Sequence, residues 1–115
     1  MNYVDGFVAA VPVANKDAFL AHAKESSVLF KEFGATRIVE CWGDDVPDGK
    51  VTDYRKAVKA TKDEVVLFSW IEWPSKGVRD AAMKKMMDDP RMQNMKMPFD
   101  GQRMIYGGFM PILDA

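Results

Sequence analysis

Glu64-Val65-Val66-Leu67-Phe68-Ser69-Trp70-Ile71-Glu72-Trp73, closed by Pro74, is the stretch on which the fold turns. β-Branched and aromatic side chains pack well on a pleated surface, and proline cannot donate to a strand ladder, so the segment reads as a strand. Alternation sends Val66, Phe68 and Trp70 to one side and Val65, Leu67, Ile71 and Trp73 to the other. Both sides are apolar. A strand of this kind belongs inside a sheet that is covered twice.

Outward from it, the chain reads as alternating strands and helices. Downstream, Ser75 caps a long helix to about Asp89, with Val78, Ala82, Met86 and Met83 as its apolar stripe. Pro90 to Gln102 lacks periodicity and carries Met92, Met95 and Met97, and a further strand spans Arg103 to Ile112. Upstream, Thr52 to Ala60 has the spacing of a short helix, and Asp44 to Lys50 is turn chemistry. Thr36 to Trp42 is a strand. Gly34 ends a helix that begins at Lys16 with Asn15 as its expected cap. Tyr3 to Pro12 is the first strand.

The order is β-α-β-(turn, short helix)-β-α-β over a single domain, residues 1–115. A short echo links Pro12 with Lys16-Asp17-Ala18 to Pro74 with Arg79-Asp80-Ala81, as if one βαβ half were used twice. This predicts an α+β, ferredoxin-like βαββαβ fold with an antiparallel sheet. Two helices cover one face. The other face carries Val4, Val8, Phe68, Trp70, Ile105 and Phe109 or their neighbours, too apolar to meet water, so a homodimer is expected, a dimeric α/β barrel. The alternative cover is the 44–62 insertion together with the methionine-rich segment.

With 115 residues the chain has room for one core, which at this size needs no staples. Sixteen basic against seventeen acidic residues leave a net charge of −1, which argues against a nucleic-acid or anionic-membrane binder. No run of about 18 apolar residues and no signal-peptide pattern occurs, so a cytoplasmic location and no membrane partner are expected. One cysteine and one histidine rule out an intrachain disulfide and a conventional zinc site within one subunit. No metal and no bound cofactor are expected.

Four blocks carry a family resemblance: Tyr3 to Phe7; Glu40-Cys41-Trp42-Gly43-Asp44-Asp45-Val46-Pro47-Asp48-Gly49-Lys50-Val51-Thr52-Asp53; Phe68 to Lys76; and Met97 to Gly101 followed by Arg103 to Phe109. They resemble the uncharacterised bacterial YbaA-like family known as a domain of unknown function, DUF1428. The resemblance spans nearly the whole chain and implies the dimeric α/β-barrel superfamily, in which two ferredoxin-like subunits join their sheets. It supplies no reaction, ligand or catalytic residue. Distant relatives include cofactor-free monooxygenases and haem-degrading enzymes, an analogy of fold alone.

The candidate ligand-binding residues are His22, Trp42, Trp70 and Phe99. His22, at the edge of the first helix's stripe, is either a general base facing a cavity or, more commonly, a partly buried histidine bonded to a carbonyl. Trp42 and Trp70, with Phe68, Trp73 and Tyr106, either stack a flat ligand or fill core and interface. Phe99 lies in the long Pro90–Gln102 connection, which is either a lid or a fixed dimer element. Cys41 reads as a small buried hydrophobe. Asp44, Asp45, Asp48 and Asp53 read as a solvated turn, because Val46 and Pro47 interrupt the alternation of a calcium loop. The third strand lacks the basic and glycine residues of an RNA-recognition module.

The expected function is a small cytoplasmic dimer that binds or transforms a small apolar or aromatic molecule without a bound cofactor. The competing expectation is a non-catalytic interaction or stress-associated protein that uses its dimer surface.

Overall fold

A computed structural model describes residues 2–115. Four strands, β1 (Tyr3–Pro12), β2 (Arg37–Trp42), β3 (Glu64–Trp73) and β4 (Ile105–Phe109), form one antiparallel sheet in the order β2-β3-β1-β4. The helices are α1 (Lys16–Glu32), α2 (Tyr54–Ala57), α3 (Lys76–Met87) and α4 (Pro90–Gln93). This is the ferredoxin-like α+β arrangement, with β1 and β3 central and paired from Tyr3↔Trp73 to Pro12↔Glu64.

Both ends of α1 follow from local chemistry, though not quite as expected. The 3-10 turn Val13–Asn15 precedes it, and the Val13 carbonyl accepts from the Lys16 amide. Asn15 therefore makes no capping bond; its Nδ2 instead donates to the Pro98 carbonyl at 2.9 Å. At the other end Gly34 adopts φ 117°, Ala35 N–H donates to the Phe30 carbonyl at 3.0 Å, and Gly34 N–H to that of Lys31. That is the paired closure a left-handed residue permits. A Cβ on Gly34 would also meet Val78 Cγ1 at 2.8 Å.

α3 is capped by Ser75, whose Oγ accepts from Val78 N–H at 3.2 Å. Phe19 and Ala23 from α1 pack on Val11 and Leu67, while Ala82 from α3 packs with Tyr3, Ile71 and Trp73. Odd-numbered residues of β1 and β3 therefore face the helices.

The even-numbered face is covered at one end only. Val58, just after α2, is fully buried against Ala10 and Val66. The rest lies open: Phe68 is 42% exposed, Ile105 45% and Phe109 62%. The 44–62 insertion thus covers part of the second face, whereas the methionine-rich segment lies on the helical side.

Two boundaries differ from expectation. β4 stops at Phe109 rather than Ile112, since it pairs with β1 only from Val4↔Phe109 to Val8↔Ile105 and Pro111 has no N–H to extend a ladder. The Pro90–Gln102 connection is not structureless. Asp89 accepts from Arg91 N–H, and Pro90 sits in the first turn of α4, where a missing N–H costs nothing. No helix among the described residues is long and apolar enough to cross a membrane.

Candidate functional site

A cavity of about 280 Å³ lies between α1, the helix-facing side of the sheet and the segment from Met92 to Met104. Its floor follows from register. Tyr106↔Phe7, Phe7↔Ser69 and Ser69↔Glu40 place four side chains in one row across all four strands. Of these Phe7, Ser69 and Glu40 line the cavity. The wall is one face of α1, on which Phe19, His22, Ser26 and Phe30 recur at helical spacing. The roof is soft: Met92, Met95, Met97 and Met104, with Phe99 among them.

Phe99 anchors the roof to the wall. Its ring centroid is 5.9 Å from that of Phe19 and 6.4 Å from the His22 ring, which it meets edge-on at 81°. The Asn15–Pro98 bond ties the same segment to the start of α1.

Two titratable groups line this apolar space. His22 does not make the expected bond to a carbonyl: its Nδ1 is buried and has no hydrogen-bond partner among the described residues. Burial holds its pKa below the ordinary 6.5, against the pull of Glu25, so the ring is neutral at neutral pH. The Glu40 carboxyl, crowded by protein, is pushed up to about 7, with the Ser69 hydroxyl opposing the rise. Glu40 sits at the mouth of the cavity and still touches solvent, and that hydration limits how far crowding can neutralise it. No lysine or arginine among the described residues pairs with it.

Of the four residues expected at a site, the structure brings two together. His22 and Phe99 share the cavity. Trp42 is on the same face as Glu40, two residues along β2, but packs on the Val11–Leu67 cluster with the Lys16 ammonium 5.4 Å from its ring centroid. Trp70 faces the opposite way, its Nε1 donating to Glu72 at 2.9 Å on the open face. Trp70 cannot share a ligand with His22, because the sheet lies between them.

Other expectations are corrected or refined. Cys41 is half-buried rather than buried, since β2 is an edge strand and the thiol lies on the open face opposite Phe68. Asp53 caps α2, accepting from Lys56 N–H at 2.6 Å and Gly49 N–H at 2.9 Å, and these amides lower its pKa to about 2. Its carboxylate is engaged by backbone. No group of three or more His, Cys, Asp or Glu that could hold a metal ion occurs among the described residues.

Glu40, Ser69 and Met104 were not anticipated. The available signal was small: Ser69 is the only hydroxyl in an otherwise apolar β3, and Glu40 interrupts Ile38-Val39 and Cys41-Trp42.

Fold and cavity together define a small α+β protein with an enclosed apolar space beneath its first helix. The chain belongs to the DUF1428 family, described as proteins of unknown function, whose model matches residues 2–101. It is 66% identical over 116 residues to the uncharacterised protein YbaA of Escherichia coli strain K12, covering 99% of each chain, and equally so to YbaA of Shigella flexneri. The solved structure of Rv0793 from Mycobacterium tuberculosis aligns over 100% of this chain and 99% of its own, with a TM-score of 0.47 and 14% identity. A likeness that distant says nothing of the site.

Proposed function

We propose that the protein is a cytoplasmic homodimer that holds a small apolar or aromatic molecule in the cavity between α1, the sheet and the methionine segment, without a bound cofactor. The observation that carries this reading is the buried, unpartnered Nδ1 of His22 in a space otherwise walled by phenylalanine and methionine. A buried polar atom without a partner costs about 1–3 kcal/mol, and a ligand with one matching polar group removes that cost. The volume is at the small end for ligand sites, which selects a molecule of about one or two rings. Native mass spectrometry of protein purified from its own cells is expected to show a retained small molecule that is lost in His22→Phe. Retention unchanged by that substitution places the ligand elsewhere.

The homodimer rests on the open face. Val4, Val8, Phe68, Trp70, Ile105 and Phe109 border one shallow apolar groove of about 750 Å³, and its edge pair Arg37–Glu72 is the kind of polar rim an interface carries. A second copy offers the same surface, so the patch is complementary to itself. Sedimentation equilibrium is expected to give twice 13.0 kDa, and Phe68→Lys the mass of one chain. A folded monomer of the unaltered protein favours the second reading, in which that face docks a different partner.

A further inference from the structure

We propose that the cavity is a proton-transfer site, in which Glu40 moves a proton between two positions of a bound carbonyl compound while His22 donates to the oxygen that gains charge. This inference rests on the cavity being a ligand site and names what the ligand undergoes there.

Three placements support it. Glu40 projects from β2 to the cavity's mouth beside Ser69, and no cation holds it in the ionised form. His22 faces the same space from α1 with a ring nitrogen that no protein atom satisfies. The remaining surface is apolar, which strengthens electrostatic interactions within it. No other side chain lining the cavity titrates: α1 brings only His22, β2 only Glu40, and β1, β3 and the methionine segment bring none. Glu25 lies one turn from His22 outside the lining, and Lys16 is engaged with the Trp42 ring. A carboxyl near 7 is half-ionised at neutral pH, the condition under which one group can both take and return a proton.

The step balances without any other reactant. The Glu40 carboxylate takes a proton from a carbon beside the carbonyl; the C–H electron pair forms a C=C bond, and the carbonyl π pair moves onto oxygen. The neutral His22 ring, protonated on Nδ1, donates to that enolate oxygen. Glu40, now the neutral acid, returns the proton to another carbon of the conjugated system or to the oxygen. Nothing is oxidised or reduced. The substrate class is therefore a small enolisable ketone or unsaturated carbonyl compound with an aromatic or alicyclic body.

The test uses 5-nitrobenzisoxazole, a flat aromatic whose C3 proton is removed by a base as its N–O bond breaks to give a nitrile and a coloured phenolate. Binding is followed separately by calorimetry with the unreactive analogue 5-nitrobenzotriazole. The expected result is saturable elimination that rises with pH around a midpoint near 7 and falls at least about 100-fold in Glu40→Gln, with the analogue still bound. Ser69→Ala should move that midpoint upward, because the hydroxyl opposes the carboxyl's rise, and a merely structural Ser69 would leave it fixed. If the analogue binds and Glu40→Gln eliminates as fast as the unaltered protein, proton transfer is overturned and the ligand site stands. If the analogue does not bind at all, the ligand site fails and takes this inference with it.

Discussion

Arg79 on α3 grips Asp5 on β1 through Nη2 at 2.8 Å and Nε at 3.1 Å, while Asp5 also accepts from Trp73 Nε1 at 2.9 Å. Asp5 is 2% exposed, so this carboxylate is compensated almost wholly by protein, and the contact fastens the second long helix to the centre of the sheet. The Arg79 guanidinium, raised further by Asp5 and then Asp80, also lies 5.3 Å from the Tyr3 ring centroid.

Arg79→Met is expected to destabilise the fold by about 3 kcal/mol, the lower part of the range for orphaning a buried charge, since Arg79 itself keeps some contact with water. Adding Asp5→Asn should recover part of the loss. Urea unfolding of the three variants checks both, and a loss under about 0.5 kcal/mol would mean that water replaces the guanidinium.

His22→Phe should make the empty protein more stable, by about 1 kcal/mol, because it removes a buried nitrogen without a partner and leaves an aromatic ring between Phe19 and Phe99. Binding should fall at the same time. Stability gained where function is lost is the signature of a site rather than of a core position. Thermal unfolding beside ligand calorimetry reads both quantities.

Glu64 gives the fold an acid-sensitive joint. Arg103 binds its two oxygens at 2.8 and 2.7 Å and, with Thr61 N–H, lowers its pKa from 4.5 to about 2. A carboxyl depressed in the folded state stabilises fully above its unfolded value, and the contribution fades as pH falls from about 4.5 toward 2. The stability difference between the unaltered protein and Glu64→Gln should therefore be constant from pH 7 to about 5 and shrink below 4.5. Urea midpoints at pH 7, 5, 4 and 3 measure it.

The methionine roof should be the first ordered part of the helical side to open. α4 is four residues long, and the segment around Met95 to Phe99 has few ladder bonds beyond the Asn15–Pro98 contact. Amides of 92–99 are expected to exchange earlier than those of β3, and bound 5-nitrobenzotriazole should slow them selectively. Equal protection in the empty protein would identify the segment as a fixed wall.

The strands and helices were legible because their punctuation is strong: Pro12 and Pro74 close β1 and β3, Gly34 closes α1, and Ser75 opens α3. The site was less so. With Phe68 and Trp70 as apolar as Leu67 and Ile71, parity separated the two faces without saying which one met the helices, and Trp70 was grouped with residues on the wrong side of the sheet. Asp5 and Ser69 held the answer, since polar side chains in central strands need partners, and Arg79 and Glu40 supply them from the helical side. Glu40 itself reads from sequence as a solvated edge residue. Its environment comes from α1 and the methionine segment, contacts across long stretches of chain that no local pattern reports.

Because neighbouring residues of β3 serve opposite sides of the sheet, this strand can change its letters but not its length. A single deletion within Val65–Ile71 would shift part of the strand by one residue, turning Ser69 out of the cavity and driving Phe68 or Trp70 in. β3 is also paired along both edges, so the slip would have to break two ladders at once. Length variation in natural relatives should therefore collect in the 43–53 turn, the 88–104 segment and the residues after Phe109, while insertions inside β3 should be absent.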